Sequence, residues 1–274
     1  MFINLKKSIP NTITLSNLFL GFVSIILLAI SLNAHNQYIE TVCYLILVAA
    51  ILDSIDGKVA RKLNISSDFG KEIDSLADLI SFCLVPSFLL FVWYKELEIE
   101  SLSFVVLIVL SSFPVMLGAI RLARYNATRN MRESVKYIGM PTPANAIFIC
   151  SLILFAIKFL ERELLYPVDI FLFKGMYLLL KNILYNEFVI LGLSIFSSIL
   201  LMSKVDYNKF PLISFKINRK NTLDLINLIL FCVILISSVW YGYYDIVLLF
   251  FILIYIFGNL AKYLFNILLT KKKE

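Results

Sequence analysis

Long apolar runs separated by short polar breaks cover most of the chain. A run of about 20 apolar residues is long enough to cross a bilayer's hydrocarbon core as an α-helix. The pattern predicts helices over 12–33, 38–63, 69–94, 101–126, 142–160, 186–203, 223–242 and 244–268. The short alternating segments of a membrane β-barrel are absent from the sequence. A helix, by contrast, satisfies its own backbone in lipid. The expected fold is therefore an all-α polytopic membrane protein of about eight spans. Region 161–185 mixes charges into an apolar run and is expected to form an interfacial helix rather than a further span. The polar-rich connection 204–222 is expected to separate a six-helix unit, 1–203, from a C-terminal transmembrane pair within 204–274.

Composition sharpens this picture. Of 274 residues, 60% are hydrophobic and 16% charged, and mean hydropathy is +0.88. Soluble domains carry about 25% charged residues. A net charge of +6 would raise nucleic acid as a partner of a soluble domain, but here the placement of Lys and Arg accounts for it. Lys6, Lys7, Lys62, Lys71, Arg124, Arg129, Arg132, Lys136, Lys204, Lys209, Lys216, Arg219, Lys220 and the tail Lys271, Lys272 and Lys273 fall on one side of an eight-span arrangement. The opposite loops hold less: none in 33–40, Lys95 among Glu96, Glu98 and Glu100, and a scatter in 158–181. Positive charge stays inside, so both termini are expected in the cytoplasm, in an inner membrane, and no nucleic acid is expected as a partner. Cys43, Cys83, Cys150 and Cys232 all lie in apolar runs and read as small buried hydrophobes. The first apolar run is too long for a cleavable signal peptide and is expected to be retained.

Acidic residues interrupt the apolar pattern between Asp53 and Asp78. At about 100° per residue, Asp53, Asp56, Gly57, Ala60 and Arg61 share one face of the second helix. Gly70, Asp74 and Asp78, at i, i+4 and i+8, share one face of the third. The break at Asn64–Asp68 makes these helices antiparallel neighbours and contains N-cap residue types. Asp68 is expected to be a cap, and Glu72 an interfacial residue. Asp53, Asp56, Asp74 and Asp78 can then converge near the cytoplasmic interface. Together these four carboxylates would repel one another and partly protonate. Divalent cations remove that problem, and an all-oxygen donor set suits Mg²⁺, Mn²⁺ or Ca²⁺ rather than zinc. One or two such ions can clamp a pyrophosphate. An acid left partly unengaged can deprotonate a hydroxyl, and Arg61 can hold a phosphate oxygen. A solvated interface of acids paired with Lys58, Arg61, Lys62 and Lys71 explains one or two of these acids, but not their one-face placement on both helices.

The pattern D-x2-D-G-x2-A-R-x8-G-x3-D-x3-D formed by Asp53, Asp56, Gly57, Ala60, Arg61, Gly70, Asp74 and Asp78 resembles the signature of the CDP-alcohol phosphatidyltransferases. The resemblance implies a six-helix core, a homodimer, and a site open to the cytoplasm. It also implies transfer of a phosphatidyl group from CDP-diacylglycerol to an alcohol, with CMP leaving. Asp53, Asp56 and Asp74 would carry metal, Mg²⁺ or Mn²⁺. Asp78 would add to the metal site and act as general base. Gly57, Ala60, Arg61 and Gly70 would hold the CDP moiety. The stretches PNTITLSNLFLGF (10–22), SDFGKEIDSLADLISF (67–82), RLARYN (121–126) and GMPTPANA (139–146) are similar to the serine-using members, which makes L-serine the expected acceptor.

Other polar residues admit two readings. Asn11, Thr14, Asn17 and Gly21 lie within about 120° on the first helix. They face the nucleotide, or they make interhelical hydrogen bonds. The resemblance favours Asn11 and Thr14 for the nucleotide pocket. Arg121 and Arg124 either bind an acceptor carboxylate or phosphate, or anchor the helix. Thr142, between two prolines at a rigid helix start, is a further acceptor-binding candidate. His35 has no expected role, and the KKKE tail is expected to meet anionic headgroups. Glycerol 3-phosphate or inositol phosphate as acceptor would call for more cations. A divalent-cation transporter would spread its acids through the membrane depth.

Overall fold

The computed structural model describes residues 2–33, 37–63, 67–97, 103–128, 136–165, 187–208, 230 and 233–271. The helices are α1 (Phe2–Ser31), α2 (Ile39–Lys62), α3 (Asp68–Asp78), α4 (Val85–Glu96), α5 (Phe104–Ser111), α6 (Phe113–Thr128), α7 (Thr142–Leu165) and α8 (Glu187–Leu201). A helix over 233–240, α9, and α10 (Tyr244–Lys271) follow. A π-helical stretch, Leu79–Leu84, joins α3 to α4 without a break. The fold is that of an all-α polytopic membrane protein, with five stretches among the described residues long and apolar enough to cross a membrane. Large apolar side chains such as Phe19, Val105, Phe250 and Phe265 are more than 60% exposed. That outward apolar face is what helices present when their solvent is lipid.

α7 lies at the centre. Its Ile149, Cys150, Ile153 and Leu154 are fully buried, and it packs against α2, α8 and α10. α1 lies along α2 and touches α3. Cys43, Cys83 and Cys150 are buried free thiols, as expected; Cys232, His35, the tail beyond Lys271 and residues 166–186, which hold most of the expected interfacial helix, lie outside the described residues.

Two prolines shape the helices around the site. Pro86 has no N–H, and its ring would strike the carbonyl four residues back. The backbone widens just ahead of it, and the Val85 N–H reaches the Ile80 carbonyl across a π-type turn. Pro114 divides the helix expected over 101–126 into α5 and α6 at Ser112. The neighbouring amide of Val115 finds a side-chain acceptor, donating to Ser87 Oγ at 2.9 Å. α1 starts ten residues earlier than expected and continues through Pro10.

Asp68 is not the cap of α3. Ser67 is, its Oγ accepting from Gly70 N at 3.0 Å. Asp68 begins the helix and pairs with Lys71 at 2.8 Å, where an acid also complements the helix dipole.

The structure adds a short antiparallel ribbon that hydrophobic periodicity did not predict. Lys136–Ile138 (β1) pairs with Asp206–Asn208 (β2), with Tyr137 opposite Tyr207. Gly139 closes the ribbon onto α8. Its φ of 79° is the left-handed region open to glycine, its N–H donates to Val205 O at 2.9 Å, and a side chain there would lie 2.3 Å from Leu201 O. Tyr207 packs on Tyr255 of α10, ring centroids 5.7 Å apart. At the far end of α7, Arg162 donates to the Gly242 carbonyl at 3.0 Å, pairs with fully buried Asp245 and covers the Tyr243 ring at 5.0 Å. Lys158 bonds Glu40 of α2 at 2.8 Å, and Tyr44 and Tyr244 both donate to that Glu40 carboxylate. Contacts at both ends of α7 thus tie α10 to the rest of the bundle.

Candidate active site

The acids sit where α2 and α3 approach each other. Steps of three on α2 and four on α3 keep each pair on one helix face. Carboxylate oxygens of Asp53, Asp56 and Asp74 all lie within 4.8 Å of one another. Asp56 is buried, 4% exposed, and Thr14 Oγ1 of α1 donates to its Oδ2 at 2.7 Å. Asn11, one turn earlier on α1, lies beside Gly70, since a Cβ at that glycine would be 3.1 Å from Asn11 Oδ1. A Cβ at Gly57 would meet nothing within 4 Å, which leaves its backbone approachable. Ala60 and Arg61 belong to α2, but their side chains lie outside the described residues.

Asp78, one turn beyond Asp74 on α3, adjoins this group, its carboxyl sharing a hydrogen bond with that of Asp53. Its Oδ2 accepts from Thr142 Oγ1 at 3.3 Å. Its buried Oδ1 has no donor among the described residues. Arg121, 6% exposed, acts electrostatically on both Asp53 and Asp78. Arg124 faces elsewhere: its guanidinium donates to the Met202 and Leu201 carbonyls at 3.4 and 3.5 Å, at the C-terminus of α8. A cation there complements the helix dipole.

Three carboxylates within one ligand sphere, on rigid helices, fit a hard divalent cation. The donor set is all oxygen, the choice of Mg²⁺, Mn²⁺ or Ca²⁺. Without a cation, a crowd of acids in low dielectric is unfavourable. The Thr14 hydrogen bond to Asp56 also fits, because ligating carboxylates are oriented by such outer partners.

Sequence reasoning did not find three polar links around the site. Ser75 of α3 accepts from Asn126 Nδ2 of α6 at 3.0 Å. Ser197 Oγ of α8 donates to Asn145 Oδ1 of α7 at 2.7 Å. Ser81 Oγ donates to the Asn17 carbonyl at 3.0 Å, beside Gly21, where a Cβ would lie 2.5 Å from that oxygen. The PTPANA and RLARYN stretches carried a trace of the first two; for the third, Asn17 and Gly21 were legible as an interhelical contact, but not Ser81 as the partner.

The family model described as CDP-alcohol phosphatidyltransferase matches residues 7–198. A CDP-diacylglycerol–serine O-phosphatidyltransferase of Helicobacter pylori strain 26695 is 37% identical over 150 residues, 55% of this chain and 59% of that protein. One of Methanocaldococcus jannaschii is 36% identical over 149 residues, 53% of this chain and 62% of the relative. One of Bacillus subtilis is 34% identical over 135 residues, 49% of this chain and 69% of the relative. The match thus spans about three-fifths of the length of the Helicobacter and Methanocaldococcus proteins. With the aspartates on α2 and α3 inside the matched region and brought together by the fold, the chain belongs to the CDP-alcohol phosphatidyltransferase family.

Proposed function

We propose that this membrane protein transfers the phosphatidyl group of CDP-diacylglycerol to the hydroxyl of L-serine, giving phosphatidylserine and CMP. The observation that carries the reading is the group of Asp53, Asp56 and Asp74, with Asp78 one turn deeper, in a chain of this family. The names of the relatives support serine as acceptor.

Asp53, Asp56 and Asp74 would hold Mg²⁺ or Mn²⁺, with Asp78 adjoining. A bound cation there supplies charge neutralisation for the pyrophosphate and its leaving phosphate. The open backbone at Gly57, with Ala60, Arg61, Gly70, Asn11 and Thr14, forms the CDP site. Asp78 takes the proton from the serine hydroxyl. The serine oxygen forms a bond to the β-phosphorus, the bond from that phosphorus to the bridging oxygen breaks, and CMP leaves with the electron pair. No cysteine or histidine nucleophile is needed, and none stands among the eight positions of the aspartate signature. Arg121 holds the serine carboxylate. Arg124 donates to carbonyls at the C-terminal end of α8, so Arg121 rather than Arg124 is assigned to the acceptor. Both termini and the site face the cytoplasm, the enzyme works as a homodimer among membrane lipids, and 1–203 forms the catalytic unit with 204–274 appended.

The test is CMP release from CDP-diacylglycerol by purified protein with a divalent metal and each alcohol in turn. Release with serine is expected. Release with glycerol 3-phosphate but not serine would overturn the acceptor, and no release with any alcohol from folded protein would overturn the enzyme. Asp78→Asn should abolish turnover and leave CDP-diacylglycerol binding measurable; full activity would remove Asp78 as the base.

A further inference from the structure

Thr142 is the first residue of α7, 1% exposed. Proline on both sides stiffens its backbone, and the Asn145 N–H returns to the Pro141 carbonyl at 3.2 Å. Its branched Cβ has few χ1 choices. The methyl faces α6, since a Cβ at Gly118 would lie 3.8 Å from Thr142 Cγ2. The hydroxyl faces α3 and donates to Asp78 Oδ2. Asp78 is fixed from behind as well. The π-type turn that follows it packs Ser81 on Gly21 of α1 and Cys83 on Gly118 of α6. π-type turns recur at functional sites. The Asp53 carboxyl lies against Asp78 as well, but of the two Asp78 oxygens only Oδ2 has a hydroxyl donor, Thr142, and buried Oδ1 has no donor placed on it among the described residues.

We propose that Thr142 is a positioning residue for the general base rather than an acceptor ligand: it holds Asp78 through Oδ2, so that Oδ1 is the oxygen that receives the acceptor's proton. The proposal rests on Asp78 being the base. The contact of 3.3 Å is long for a hydroxyl and a carboxylate, as catalytic hydrogen bonds often are before substrate closes the site. The hydroxyl proton of serine passes to Oδ1 as the serine oxygen bonds to phosphorus and CMP departs, while the Thr142 hydroxyl keeps its own proton throughout. A residue in this position steers the base without touching serine, so its loss should appear in kcat and spare KM.

Thr142→Val keeps the shape and removes the hydroxyl; Thr142→Ser keeps the hydroxyl and removes the methyl. Both would be compared with full-length wild type for kcat, KM of serine and of CDP-diacylglycerol, CDP-diacylglycerol binding and melting temperature. Thr142→Val is expected to lose about 10–100-fold in kcat, the usual cost of removing an outer partner of a site carboxylate, with both KM values within about 2-fold. Thr142→Ser is expected to stay within about 3-fold of wild type. If Thr142→Val does not fold, Thr142→Ala takes its place with the same expectation. A raised KM for serine at unchanged kcat would make Thr142 an acceptor ligand and overturn the proposal. So would wild-type kcat in Thr142→Val, or a loss in Thr142→Ser as large as in Thr142→Val. A wild type that releases no CMP overturns the functional reading itself, which separates the two failures.

Discussion

Gly118→Ala tests whether the packing behind Asp78 matters to it. A methyl at Gly118 would stand 2.4 Å from Cys83 Sγ and 3.0 Å from Cys83 Cβ. Nonbonded heavy atoms settle near 3.5–4.0 Å, so the sulfur must retreat by about 1 Å. Overpacking of this kind costs about 1–3 kcal/mol. Replacing a helical glycine by alanine returns about 1 kcal/mol of propensity. The net loss of stability is then about 0–2 kcal/mol, a small shift in melting temperature. Activity should suffer more. Cys83 lies in the π-type stretch that follows Asp78, and a shift of about 1 Å at a reacting group can cost about 100-fold in rate. The assay is CMP release with melting followed on the same sample. Cys83→Ala in the Gly118→Ala background removes the sulfur and leaves the 3.0 Å contact, which a few tenths of an ångström relieve, so most of the activity should return. Wild-type kcat and melting in Gly118→Ala would refute the close approach of α6 to this turn. A double variant as slow as Gly118→Ala would refute the route through Cys83.

Three further outcomes are expected. Thr14→Val removes the hydroxyl that orients Asp56 at 2.7 Å, and should raise the metal concentration for half-maximal activity by about 10–100-fold, read in a metal titration of CMP release. Arg162→Ala strips fully buried Asp245 of its ion-pair partner and should cost about 3–5 kcal/mol, read as a fall in melting temperature; Arg162→Leu with Asp245→Leu should recover most of it. The Tyr207 hydroxyl is buried with no partner among the described residues, so Tyr207→Phe should be neutral or stabilising by up to about 1 kcal/mol in a melt at neutral pH. Burial pushes the Tyr207 phenol up to about 12 from 10.0. The neutral form is favoured in the fold, so the gain is complete below pH 10 and is lost as pH rises toward 12; Tyr207→Phe should flatten that alkaline loss.

The helices were legible wherever lipid dictates composition. A backbone in hydrocarbon must be helical and its side chains apolar, so expected and observed ranges agree within a few residues for α2, α8 and α10. The acids were legible for the converse reason: carboxylates between such helices need a compensating partner, and their spacing alone places them on common faces. What escaped is local. The Ser67 cap and the split at Ser112 depend on which of several adjacent residues a backbone amide reaches. The ribbon of three-residue strands has no period long enough to detect.

Sequence alone determined that this chain lies in a membrane as helices, that Asp53, Asp56, Asp74 and Asp78 belong together, and which family it resembles. The first follows from the solvent a segment can tolerate, the second from spacing along two successive helices, and the third is a resemblance of motif. Only the tertiary structure decided that carboxylate oxygens of Asp53, Asp56 and Asp74 come within 4.8 Å of one another while Asp78 meets Asp53 and the Thr142 hydroxyl, and that Arg124 reaches carbonyls at the end of α8 while Arg121 acts on the acids. Those assignments depend on distances between helices remote in sequence. The close approaches at Gly21 and Gly118, and the turns forced by Pro86 and Pro114, set them, and no periodicity within a single helix carries that information.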